Sequence, residues 1–303
     1  MAEWKNRASL LSPRKASCGA ALNGRILVAG GITDDTKPPV ASVEARRAAG
    51  KGEWQSLPPM PTPRGNPTAA EVDGMMYVVG GINSTGFLDV VERFDPRTRE
   101  WTTSPALPEQ RLQAAAAGLR DLLYVAGGSV PDNGGDRNTD SVIVFNPRKP
   151  VLGWKQVAPM LVTRARHGLV AAGGHLYAIG GENQDFDTIP TAERYDPGTN
   201  TWTAIAPMLE SRAFSGMTVI GHRIAVVGGY TRAAGSSTFL RTTEVYDTHT
   251  DRWQTLDAQL PTPKVSLVAA AESNGSLLAI GGATVIDGNE PITADVLALK
   301  LEG

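Results

Sequence analysis

The run HLYAIGG, His175–Gly181, ends an apolar, strand-like stretch on two adjacent glycines. Glycine weakens a strand and marks a bulge or a place where another backbone comes close. The pattern returns as LVAGG at 27–31, YVVGG at 77–81, YVAGG at 124–128, AVVGG at 225–229 and LAIGG at 278–282. The second glycines fall at 31, 81, 128, 181, 229 and 282, so the spacing is 47 to 53 residues throughout. A fixed period of this length is the signature of a repeat architecture.

Other landmarks keep the same beat. All six tryptophans do so, at Trp4, Trp54, Trp101, Trp154, Trp202 and Trp253. Between glycine pair and tryptophan lie VVERFDP at 90–96, TAERYDP at 191–197 and TTEVYDT at 242–248. After the tryptophan come PPMPTPR at 58–64, APMLVTR at 158–164 and APMLESR at 206–212. EVDGMMYVVGG and AAGGHLYAIGG read as hairpins with a glycine turn, and Asp-Pro ends the third strand of each unit. Each repeat is therefore four antiparallel strands. AAAAG at 114–118 has helical propensity, but its place in the repeat predicts a strand.

Glycine pair, Glu-x-Tyr/Phe-Asp, tryptophan and Pro-Met-x-x-x-Arg together resemble the Kelch motif, over nearly the whole chain. The resemblance implies an all-β fold: one six-bladed β-propeller of four-stranded antiparallel blades around a central channel. The expected blades are about 12–57, 58–104, 105–157, 158–205, 206–256, and 257–301 completed by 2–8. Trp4 precedes any glycine pair and no tryptophan follows DVLALKL at 295–301, so the N-terminal strand should complete the last blade. The glycines are then architectural, leaving room for neighbouring chain, expected to be the tryptophan strand. No helix start follows them, which disfavours a phosphate loop.

Composition narrows the function classes. The 303 residues carry a formal charge of −2 with acids and bases interspersed, which argues against general nucleic-acid affinity. The single cysteine, Cys18, excludes an internal disulfide and a cysteine zinc site, and reads as a small buried hydrophobe. No apolar run reaches membrane-span length, and MAEWKNRASLL lacks a secretory apolar core, so a soluble cytoplasmic protein is expected.

Thirteen of the eighteen aromatics sit in repeat register and explain the blade. Phe87, Phe186, Tyr230 and Phe239 instead follow a glycine pair in variable loops, and Phe214 follows Arg212. All five map to the face carrying the second-to-third-strand loops, where binding residues on a rigid scaffold concentrate. The same face should carry a basic ring of Arg14, Arg64, Arg111, Arg164, Arg212 and Lys264. Neighbours ~10 Å apart would repel by about 1.7 kcal/mol at an effective dielectric of ~20. Third-strand acids Glu44, Glu92, Glu193, Glu244 and Asp295 can offset this within the blades, or an anionic ligand can offset it over the channel. If any member of the ring is free, it is expected to be Arg111, because its blade has Ile143 in place of the acid.

Other chemistries find little support. His167, His175, His222 and His249 show no metal-ligand spacing and read as solvated turn residues, so no metal and no cofactor is expected. PDNGGD at 131–136 lacks the spacing of a helix-loop calcium site. No serine-elbow triad can be picked out, and neither the copper-radical oxidase ligand set nor the Glu-x-x-x-Asp-x-x-x-His run of iron-binding specifier proteins is present.

Two functions remain. The resemblance implies a non-catalytic, monomeric module that grips a protein or peptide on its loop face, with an acidic ligand expected from the basic ring. The alternative is an enzyme like the single-domain bacterial Kelch mutarotases or isomerases of sugar acids, with Glu210 transferring a proton and Arg212 holding a carboxylate.

Overall fold

A computed structural model describes residues 2–50, 52–233, 235–285 and 289–301. Six four-stranded antiparallel sheets follow one another along the chain. Blade 4 shows the plan: Gly168–Ala172 nearest the channel, then His175–Ile179, Ala192–Asp196 and, outermost, Thr201–Ile205. Blade 6 combines Val268–Ala271, Ser276–Ile280 and Val296–Lys300 with the N-terminal strand Lys5–Asn6. Lys5 pairs with Ala298 and Asn6 with Leu297, which closes the ring as the tryptophan count required. The alanine run forms the strand Ala115–Leu119, so tertiary register overrides its helical propensity. Among the described residues the only helical segment is a 3-10 turn at Pro150–Leu152, and no helix is long and apolar enough to cross a membrane.

The cores lie between blades rather than within them. Leu176 and Ala178 pack with blade 3 residues such as Tyr124 and Val142, while Tyr177 and Ile179 pack with Ile224 and Val226 of blade 5. A second strand buried on both faces must be apolar at every position, hence the unbroken LYAI run. The third strand and the tryptophan form the outer clasp. Tyr195 stands opposite Trp202 with ring centroids 5.1 Å apart, and Phe94 opposite Trp101 at 5.2 Å. The indole of Trp202 donates to the Ala158 carbonyl at 3.0 Å, in the link entering its own blade. All six indoles make the equivalent bond, at 2.7–3.3 Å.

The glycine pair serves a different neighbour from the one expected. Gly180 and Gly181 have φ of +65° and +94°, a region open chiefly to glycine. A Cβ on Gly180 would lie 2.7 Å from the Arg212 carbonyl oxygen of the next blade, and one on Gly181 2.5 Å from the Ala165 carbonyl oxygen. The crowding comes from the Arg-bearing innermost segments and not from the tryptophan strand. The Gly181 amide then donates to the Arg212 carbonyl at 2.9 Å, and each of the six junctions repeats this bond at 2.8–2.9 Å.

Candidate functional site

The basic ring is built into these junctions. Arg14, Arg64, Arg164, Arg212 and Lys264 are at most 1% exposed and Arg111 is 3% exposed. Each arginine donates to the carbonyl of the first glycine of its own blade, at 2.7–3.1 Å. Four also meet the third-strand acid: Arg14 with Glu44, Arg64 with Glu92, Arg164 with Glu193 and Arg212 with Glu244, at 2.5–2.7 Å. Lys264 Nζ bonds Gly281 O and Thr293 Oγ1 and lies 3.8 Å from Asp295. The offset is therefore internal. Placing these six side chains against a ligand is corrected here, because a cation with no open surface cannot touch one.

Arg111 is corrected too. With Ile143 where other blades have an acid, it stays buried and bonds Gly127 O, Ser141 O and the Ser141 hydroxyl. Burial pulls its pKa down to about 10, opposed by the charge of Glu109, so it remains cationic at neutral pH. The proposed catalytic pair fares similarly. Glu210 does lie 3.3 Å from Arg212 and accepts from the Thr242 hydroxyl, but Arg212 is committed to Glu244, Gly228 O and Thr242 O. It has no donor facing open space for a substrate carboxylate.

Two residues after each basic residue the chain turns into the left-handed region. Ala16, Asn66, Gln113, Arg166, Phe214 and Ser266 all have φ between 48° and 60°. These six residues circle the mouth of a channel cavity of about 200 Å³. Their backbones are joined across five of the six junctions: Asn66 N to Ala16 O, Ala16 N to Ser266 O, Ser266 N to Phe214 O, Phe214 N to Arg166 O and Arg166 N to Gln113 O, at 2.8–3.2 Å. Non-glycine residues pay for this conformation, and a phenylalanine pays more than most. The backbone hoop is common to the blades; its side chains are all different.

That asymmetry peaks at blades 4 and 5. The Arg166 guanidinium lies 5.7 Å from the Phe186 ring centroid and 5.1 Å from that of Phe214, while its Nε donates to Gln113 Oε1 at 2.9 Å. Arg166 also bonds Glu182 Oε2, and the Tyr230 hydroxyl donates to Glu182 Oε1. Phe214 stands 6.2 Å from Tyr230, and Tyr230 6.1 Å from Phe239. Two of the five unregistered aromatics, Phe186 and Phe214, thus pack on one arginine, Tyr230 is joined to it through Glu182, and Phe239 packs on Tyr230. Phe87 does not join them; it pairs with Ile82 in the small hairpin of blade 2. Glu182 is fully buried, and burial raises its carboxyl above the usual range against the pull of Arg166 and Arg232. Phe186 shares the strain at φ +61° and is 41% exposed.

Arg166, Glu182 and Gln113 were not among the expected site residues. Repeat register carried the signal: the residue after the glycine pair is Ile32, Ile82, Ser129, Glu182, Tyr230 or Ala283, with a single acid among them. His167 also departs from expectation. It lines the channel cavity, both ring nitrogens are shielded without hydrogen-bond partners, and burial beside Arg164 holds its pKa well below the ordinary value. His222 and His249 do occupy turns on the far face, and His175 opens the strand beside one. There, however, His222 and His249, distant in sequence, stack at 4.5 Å with ring planes 4° apart.

Comparison with known proteins agrees with this architecture. Residues 113–303 match the KLHDC2/KLHL20/DRC7 Kelch-repeats domain and residues 63–108 the Kelch motif. Kelch-like protein 36 of Mus musculus is 30% identical over 258 residues, covering 83% of this chain and 41% of that protein. Kelch-like protein 41a of Danio rerio is 26% identical over 149 residues, 48% of this chain and 24% of that protein. The chain thus spans well under half the length of these relatives. The solved structure of YjhT superposes with a TM-score of 0.82 at 19% identity, covering 96% of each chain, which shows a shared fold. With the motif matches and the closed ring of six blades taken together, the chain belongs to the Kelch-repeat family.

Proposed function

We propose that this propeller is an interaction module that binds a protein or peptide segment on its loop face, centred on the Arg166 aromatic cluster. The observation that carries the reading is the hoop at the channel mouth, where one strained backbone position presents six different side chains. Beside it, Phe186, Leu161 and Leu209 are exposed at 41%, 58% and 66%, and give apolar surface for a partner's anchor. A closed ring covers the blade faces without a second chain, which supports action as a monomer. An acidic ligand loses its premise once the basic ring is buried. Exposed loop-face acids such as Asp35, Asp132, Asp136, Asp185 and Glu290 outnumber the exposed bases Lys37, Arg137 and Arg241, and this favours a partner carrying basic side chains.

The test is capture of partners from the source lysate by wild type, by Phe186→Ala/Leu209→Ala, and by a control substituted at Val151, an exposed residue in the turn between the third and outer strands of blade 3. A partner lost by the first variant and kept by the control supports the loop face. Partners recovered equally by all three would overturn it. The sugar-acid alternative moves from Glu210 and Arg212 to Arg166, whose side chain keeps 22% of its surface open, with the buried Glu182 orienting it from behind. It predicts turnover of a sugar acid that Arg166→Met abolishes.

A further inference from the structure

The far face of blade 5 holds a second cluster. His222 lies in the turn between Gly216–Ile220 and Arg223–Val227; Asp247 ends the third strand, Thr243–Asp247, and His249 follows in the next turn. One ligand atom from each of the three residues lies within 4.8 Å of the others, and His222 Nε2 is 3.3 Å from Asp247 Oδ2. The geometry points to a binding site for a divalent transition ion of the zinc class, held by His222, Asp247 and His249.

Subtracting the repeat isolates the feature. The third-strand aspartate is common property: Asp95, Asp196 and Asp247 each accept a turn amide through Oδ1, at 2.7–2.9 Å. In blade 5 Oδ1 takes the amides of His249 and Thr250, while Oδ2 faces His222. The corresponding turns of blades 2 and 4 read Asp-Pro-Arg and Asp-Pro-Gly, whereas blade 5 reads Asp-Thr-His. Losing the proline matters, because Thr248 donates both its amide, at 3.2 Å, and its hydroxyl, at 2.7 Å, to the His222 carbonyl. The two turns that carry the imidazoles are therefore bolted together before any ion arrives.

Two neutral imidazoles and one carboxylate suit zinc, copper, nickel or cobalt and disfavour magnesium and calcium, which take oxygen ligands. Bonds of about 2.0–2.1 Å in a tetrahedral site need ligand atoms roughly 3.3 Å apart. His222 and Asp247 already meet this, and the remaining closure falls to exposed side chains. His222 and His249 face solvent, so water would complete the coordination.

The experiment is calorimetric titration of the intact chain with ZnCl₂ in a non-chelating buffer, beside MgCl₂. The variants are His222→Ala, His249→Ala and His175→Ala; His175 is the single-histidine counterpart in blade 4, 4.0 Å from Asp196. Expected is one zinc per chain, no magnesium response, loss or at least about tenfold weakening in the first two variants, and no change in His175→Ala. Asp247 is left intact because it holds its turn. An absence of stoichiometric zinc binding by wild type, or an unchanged isotherm in His222→Ala/His249→Ala, would overturn the site. Thermal melts of every variant without zinc show that each is folded before it is scored.

Discussion

Arg164 and Arg111 occupy the same place in adjacent blades and differ in what faces them. Arg164 meets Glu193 at 2.5 Å, whereas Arg111 has Ile143. Replacing Arg164 by methionine leaves Glu193 buried, with the Leu161 amide at 2.6 Å as a remaining donor. Removing one partner of a buried pair costs about 3–5 kcal/mol, because the other charge is stranded. Arg111→Met strands no carboxylate. It frees the Gly127 and Ser141 carbonyls and one hydroxyl, a loss of about 1–3 kcal/mol. At about 2.1 cal/mol/K per residue the unfolding entropy of this chain is ~0.6 kcal/mol/K, so the expected drops in Tm are about 5–8 °C and about 2–5 °C. Scanning calorimetry at neutral pH reads both. The decisive variant is Arg164→Met/Glu193→Ile, which copies the apolar partner of blade 3 and should recover at least about half of the Arg164→Met loss. If the double variant melts no higher than the single, or the two arginine variants fall equally, the stranded-charge reasoning is wrong.

Three further outcomes are expected. His167 has its folded-state pKa pushed below the ordinary value of 6.5, so the unfolded chain binds the extra proton. Stability should therefore fall as pH drops below about 6.5, by at most about 1.4 kcal/mol per pH unit, and His167→Leu, which copies Leu267 of blade 6, should flatten urea midpoints between pH 6.5 and 5. Gly180→Ala forces a Cβ to 2.7 Å from the Arg212 carbonyl at positive φ, whereas Gly74→Ala meets nothing within 4 Å; its urea midpoint should fall clearly further. Trp202→Phe keeps the ring against Tyr195 but leaves the Ala158 carbonyl without its donor, and should cost about 1–2 kcal/mol in chemical denaturation.

The fold was legible because every architectural device recurs. The glycine pair, the Tyr195–Trp202 type of clasp and the Asp-Pro turn each appear in several blades, so one misread strand, such as the alanine run, is corrected by its neighbours. The fate of the basic ring was half legible. Glu44, Glu92, Glu193 and Glu244 were recognisable as partners, yet sequence alone does not say whether a side chain at a strand entrance points into the junction or out of it. The Arg166 cluster was visible only through its aromatics. Arg166 and Glu182 are ordinary surface types, informative only when the six repeats are compared position by position. The His222–His249 contact was not legible from spacing, because pairing of Arg223 with Asp247 creates it.

Closure by Lys5–Asn6 sets the order of events during synthesis. The strand that completes blade 6 is synthesised before its partner Val296–Lys300, with almost the whole ring between them. At about 5–20 residues per second the wait is about 15–60 s. Throughout that interval the flank of blade 1 that packs on blade 6, with Ile26, Val28 and Trp54, has no cover. The nascent protein is an open horseshoe with a sticky heel, and chaperone capture should persist until the final blade snaps shut.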